Sequence, residues 1–446
     1  MSNSLAQSLA RKLNTTSTLS MESVDVDVNI GQDAIVDEDG AALSPLAPAT
    51  DEPIIEAQQT ELVEEESEMD STDLEDEAAE SDIETLESIQ LHLAKSLEHG
   101  GLDSVSFEMF GLTMDHIYRK YGIASQDVLP SMESFNNDAL GQTTVSMEKV
   151  RNTISSVVEG AAQLIKKLWF QLKEFLKGLF TFNLTVKKRA SALIKAAREL
   201  NDDSARPEIK LYNAQYLLIG GKVPEKSALI NGYQTMAQSS TEITKTLSAQ
   251  TKAYGQLVNA ALRAKANEES EETLAGVAET TINYVEKLVS TSDKLVFSNA
   301  HFEAVKFGVG EGKSLLSGSK LVVDKTPKRG DDSDAYKVKP LTCSEIQKLA
   351  RMVEGMCDTL TTFDKSYDKK VMENIVVKEL PMLEEDKDGK VKEFKVTRQI
   401  KKGIKGELNP QRKYLSFIGK VNKATLDYCA QSLSAIKKDA PKKDDK

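Results

Sequence analysis

Residues 145–180 read VSMEKVRNTISSVVEGAAQLIKKLWFQLKEFLKGLF. Val150, Ile154, Val157, Ala161, Leu164, Leu168, Leu172, Phe175 and Leu179 recur at spacings of three and four, the seam of a helix that buries one stripe. A helical body therefore opens at Val145. A second helix is expected over 184–201, ending before Pro207. The seam returns after Pro224 with Leu229, Tyr233, Met236, Ile243, Leu247, Tyr254, Leu257 and Ala261, and another helix turns Leu274, Val277, Val285 and Leu288 inward. Thr342 and Glu345 have the spacing of a capping box and open a helix with the stripe Ile346, Leu349, Val353, Met356, Leu360, Phe363 and Tyr367. A last helix carries Leu415, Ile418, Leu426, Cys429, Leu433 and Ile436.

Between these helices, 308–341 is rich in Gly, Ser and Asp and reads as a loop or hairpin insertion. Residues 375–410 read as a charged hairpin turning at Asp388-Gly389. Toward the N-terminus, ESDIETLESIQLHLAKSLEHGG predicts a helix from about Ile83 closed by Gly100 and Gly101. The expected fold is mainly α: an elongated helical bundle with a small β-like insertion, preceded by a disordered acidic N-terminal region.

Charge divides the chain more sharply than its total suggests. The 446 residues carry a net −13, yet 21–90 hold 24 acidic side chains and no Lys or Arg. Almost no aromatic side chains and Pro45, Pro48 and Pro53 accompany them, so burial should not offset chain entropy there and disorder is expected. Leu5, Leu9 and Leu13 allow a short amphipathic helix ahead of the acidic tract. The expected divisions are an amphipathic peptide (1–22), an acidic disordered pro-segment (23–82), a small helical pro-region (83–133) and a cleavable linker (134–148). The helical body (149–307), the insertion (308–341), a helical C-terminal part (342–436) and a Lys-rich tail (437–446) follow.

Neither an active site nor a cofactor site emerges. GVGEGKS at 308–314 lacks the first glycine of a phosphate loop, because Phe307 stands there, so Lys313 belongs to a Gly-rich turn. Asp386 and Asp388-Gly389 lack the other oxygen ligands of a calcium loop. His92, His99, His116 and His301 have no Cys or Glu at metal spacing, and Asp115 beside His116 has no nucleophile motif with it. Cys343, Cys357 and Cys429 are too scattered for a disulfide framework or a zinc site. No apolar run reaches the roughly 18 residues a membrane span needs. Lys166, Lys167, Lys173 and Lys177 surround Trp169, and Lys187, Lys188 and Arg189 extend this basic amphipathic face. Such a face could lie on a membrane, but its seam continues the heptads from Val150, so burial in the bundle is the stronger reading.

One signal stands out. Ser-Met-Glu occurs at Ser20-Met21-Glu22, Ser131-Met132-Glu133 and Ser146-Met147-Glu148, each at a boundary between segments. Exposed connectors are where proteases cut. A repeated helix cap is the competing reading, and it suits the third copy best. Residues 1–133 carry a net −25, so a cut after Glu133 leaves 134–446 at +12, and a cut after Glu148 leaves 149–446 at +14. A basic product favours polyanions such as double-stranded DNA, and an attached acidic tail would compete for the same face.

This arrangement resembles the internal head proteins of large contractile-tailed bacteriophages. The resemblance is carried by the N-terminal helix, the acidic linker, the small-residue-X-Glu sites and the basic helical body. The block GLDSVSFEMFGLTMDHIYRKYGI at 101–123, followed by PSMESF, is similar to their pro-regions. The resemblance implies a virion protein made in the host cytoplasm, packaged into the prohead, and trimmed by a prohead protease after Glu22, Glu133 or Glu148. It also implies that 1–22 is a targeting peptide, with capsid or other inner-core proteins as partners, and the helical seams would allow oligomers. Sites in that family often carry other residues two positions before the Glu, which leaves open which copy is cut. An assembly scaffold lost on maturation and a membrane-active ejected protein are the alternatives, and an enzyme is not expected.

Overall fold

A computed structural model describes residues 52–121, 138–200, 207–211, 214–264, 282–292, 294–307, 316–323, 336–366, 383–385, 391–393 and 395–439. In chain order the helices are α1 (Glu52–Glu98), α2 (Ser104–Tyr121), α3 (Ala139–Leu200), α4 (Lys226–Ala264), α5 (282–292), α6 (Cys343–Ser366) and α7 (Lys395–Asp439). Short strands β1 (Ile209–Leu211), β2 (His301–Phe307), β3 (Leu316–Val322), β4 (Tyr336–Val338), β5 (Leu383–Glu385) and β6 (Val391–Glu393) lie between them.

Local chemistry explains most helix boundaries. Asp103 accepts from the backbone N–H of Ser106 at 2.8 Å and starts α2, and Asp138 accepts from that of Gly141 at 2.9 Å and starts α3. At α6 the predicted box is reciprocal: Glu345 N–H donates to Thr342 Oγ1 at 3.2 Å, and Thr342 N–H to Glu345 Oε2 at 2.8 Å. Gly100 and Gly101 close α1 with φ of 94° and 106°, and the Gly101 N–H reaches back to the Ser96 carbonyl at 2.8 Å. That left-handed turn is one that glycine adopts without a Cβ penalty.

The described residues form two compact units. One draws on Glu75–Leu164 and Met382–Glu393, the other on Pro48–Leu74, Ile165–Pro381 and Phe394–Lys446. In the first, Ile83, Leu86 and Leu93 of α1 meet Phe107, Phe110, Met114 and Ile117 of α2 and Val150, Ile154 and Val157 of α3. Tyr121 donates to Asp82 at 2.7 Å along the edge of this core. In the second, α3, α4, α6 and α7 enclose a larger core that includes Leu172, Phe175, Tyr233, Ile346, Leu349, Ile418 and Leu426. Phe302 of β2 tilts against Tyr414 of α7, ring centroids 5.9 Å apart. The β pairs are all antiparallel: β1 with β4 (Ile209 opposite Val338), β2 with β3 (His301 opposite Val322) and β5 with β6 (Leu383 opposite Glu393).

Several expectations need correction. The acidic tract is helical from Glu52, so disorder does not extend through residue 82. Helix 184–201 is not separate: α3 runs unbroken from Ala139 to Leu200, with no proline in its path. The same helix takes in the second half of the linker placed at 134–148. The β insertion begins at His301 rather than 308, and its last strand pairs with distant Ile209–Leu211. Among the described residues of the charged hairpin, β5 and β6 are paired, and α7 begins at Lys395, inside the range given to the hairpin. The peptide 1–22, the GVGEGKS loop and the Asp388-Gly389 turn lie outside the described residues.

Candidate functional site

The second unit holds a contact between the two charge classes of the chain. From 52 to 74, α1 carries nine acidic side chains and no Lys or Arg. Ile55, Leu62 and Met69, each seven residues from the next, form its buried edge. They seat in the large core beside Trp169, Leu172 and Leu176 of α3.

Beside that apolar edge runs an ion-pair ladder to α7. Glu66 Oε2 accepts from Lys420 Nζ at 2.9 Å and from the Ser416 hydroxyl at 3.0 Å. Arg412 donates to the Glu66 backbone carbonyl at 2.8 Å and pairs with the Asp70 carboxylate. Lys413 Nζ stands 3.7 Å from Asp70. Asp73 accepts from the Asn409 amide at 2.8 Å and lies 3.4 Å from Lys405 Nζ. As the acidic partner advances from 66 to 73, the basic partner falls from 420 to 405, so the two helices run antiparallel here. The Arg412 side chain is 0% exposed, so its charge is satisfied within the protein.

A second buried charge cluster anchors the opposite end of the segment. Arg189 of α3, 1% exposed, donates to Asp427 at 2.7 Å, and Lys423 holds the other Asp427 oxygen at 2.8 Å. Glu52, at the start of α1, stands 3.4 Å from the same guanidinium. Against these favourable pairs, Glu65 faces Glu61, Glu174 and Glu68 while partly desolvated. Burial first, then those like charges, push its carboxyl up to about 6.

The structure redistributes the residues singled out by sequence. Trp169 is in the core and Arg189 in the buried cluster, so neither belongs to an exposed basic face. Lys187 pairs with Asp358 at 2.6 Å, Lys177 with Glu174 at 3.6 Å, and Lys173 lies over the exposed Phe170 ring at 5.8 Å. Lys166 and Lys167 are half-buried and Lys188 is exposed. Among the described residues no helix is long and apolar enough to cross a membrane. Ser20, Met21, Glu22, Ser131, Met132 and Glu133 lie outside the described residues. Ser146, Met147 and Glu148 lie inside α3, with Ser146 fully buried, which corrects their placement in a linker. Burial pushes the Cys357 and Cys429 thiols up to about 12, and Cys343 is buried as well.

The α1–α7 ladder is what sequence reading missed. Its signals were present: Ile55, Leu62 and Met69 at heptad spacing, and Lys405, Asn409, Arg412, Ser416 and Lys420 at spacings of three and four. Each is sparse alone, and only their pairing gives them weight.

A model of the phiKZ-like phage internal head proteins matches residues 61–431, a span that contains both sides of the ladder. No curated protein and no solved structure matches the chain.

Proposed function

Because the chain belongs to the phiKZ-like phage internal head proteins, and so is a structural protein of the phage head interior, we propose that it enters the prohead as a self-masked acidic precursor. Cleavage after a Ser-Met-Glu site then leaves a basic helical product associated with the genome. The observation that carries this reading is the seating of the acidic segment on Lys405, Arg412, Lys413 and Lys420. The precursor thereby neutralises its own basic surface while the chain as a whole is at −13. A cut after Glu133 leaves +12 on residues 134–446, a sign change that turns electrostatic repulsion from DNA into attraction.

Among the three copies, Glu133 is the favoured scissile position. Proteases bind extended chain, and Glu148 is reached only if the first turns of α3 unwind around buried Ser146. Glu133 falls in the segment that connects α2 to α3. The prohead protease is the expected partner at this step.

Intact mass and N-terminal peptide mapping of the protein from purified particles test the proposal. A chain beginning at Ser134 is expected. A chain beginning at Lys149 moves the cut into α3, a chain beginning near Met1 overturns processing, and absence of the protein from mature particles makes it a scaffold.

A further inference from the structure

We propose that the α7 face formed by Lys405, Asn409, Arg412, Lys413, Ser416 and Lys420 is a binding surface for the phosphate backbone of duplex DNA, and that α1 residues 52–74 occupy it in the precursor as a built-in phosphate mimic. This rests on the genome-association reading above and gives it a place in the fold. The six side chains recur along one face of a single helix over about 22 Å. Every one of them bonds to or pairs with Glu66, Asp70 or Asp73. Charged amines, a guanidinium, an amide and a hydroxyl are the donors that proteins use on phosphate oxygens. The carboxylates that meet them recur at four and three residues on α1, so they too present a regular row of anions.

The mimic is weaker than what would replace it. Nine carboxylates over 52–74 amount to roughly one charge per 4 Å of helix, against about one per 1.7 Å of duplex. While the chain is intact, the tether gives the acidic segment an effective concentration on the order of millimolar, which favours self-masking. A cut between α2 and α3 removes that advantage, and a dense polyanion then competes for the same cations.

The test measures binding of a fluorescent duplex of about 30 base pairs to the full-length chain, with its melting curve followed alongside. Replacing Glu66→Gln, Asp70→Asn and Asp73→Asn together is expected to raise affinity at least about tenfold and to steepen the salt dependence by about three units in the log–log slope. Adding Lys413→Gln and Lys420→Gln should cancel most of that gain. A gain that these two changes leave intact places DNA elsewhere on the body and overturns the surface, while genome association stands. The surface is equally overturned if the triple variant gains nothing although a chain clipped at an engineered site near Glu133 binds the duplex. If the clipped chain does not bind either, the genome-association reading fails with it. Gain for anionic vesicles without gain for the duplex also overturns the proposal. Lys413→Glu with Lys420→Glu in the clipped chain provides a second check that leaves the acidic segment untouched, with loss of at least about tenfold expected.

Discussion

The two halves of α1 continue one heptad pattern but are held by different forces. In Glu75–Glu98 the inward positions are Ala79, Ile83, Leu86 and Leu93, buried against α2 and α3. In Glu52–Leu74 the apolar contribution falls to Ile55, Leu62 and Met69, and charge pairs with α7 supply the rest. Burial of apolar area responds little to salt, whereas ion pairs that keep contact with solvent, Lys413–Asp70 most of all, weaken as ions screen them. The difference teaches that a single helix can be held by apolar burial at one end and largely by charge pairs at the other. The charge-held half is the one that lies over basic residues.

The largest expected effect breaks the apolar half. Leu86→Ala removes a fully buried side chain and should destabilise its unit by about 2–5 kcal/mol, seen as a lowered melting transition. The same loss is expected at about 0.1 M and about 1 M salt, and a loss that shrinks with salt would dissolve the contrast.

Next comes the charged half. Glu66→Gln removes the carboxylate that holds Lys420 and Ser416, and should loosen 52–74 by about 1–2 kcal/mol at low salt. Hydrogen exchange of the amides from 55 to 70 should quicken, while exchange at 83–93 stays as it was. Raising salt toward about 1 M, where the screening length falls to about 3 Å, should quicken the same amides in the unsubstituted protein.

The smallest effect sharpens the comparison by pH. Glu65 has its carboxyl raised to about 6, so its ionised form opposes docking. Its penalty is present above that value and is lost as pH falls through it toward the ordinary carboxylate range, so docking at this position tightens on acidification. Glu65→Gln should therefore slow exchange near Glu65 at pH 7, by less than about 1 kcal/mol because the site is partly solvated, and should change little at pH 5. Exchange at 83–93 should not respond.

How much of this was legible varies with how local the cause is. The capping box at Thr342 and Glu345, the glycine stop after α1 and the seam from Val150 to Leu179 are written in neighbouring residues, and each stands in the structure where the sequence puts it. Burial of Trp169 follows from the same seam. The acidic tract shows the limit. Its composition alone denies it a core, and that inference fails from Glu52 onward because Arg412, 342 residues away from Asp70, supplies a counter-charge. The Ser146-Met147-Glu148 copy looks like connector in sequence for a related reason: α3 begins at an Asp138 cap, ahead of the first seam residue.

By itself, then, the sequence determined a mainly helical protein with opposite charge at its two ends, because periodicity and net charge need no knowledge of partners. Only the tertiary structure decided that the acidic segment 52–74 packs along the basic face of α7. A helix of like charges becomes stable when another helix brings cations to it, and that pairing exists only once distant residues share one core.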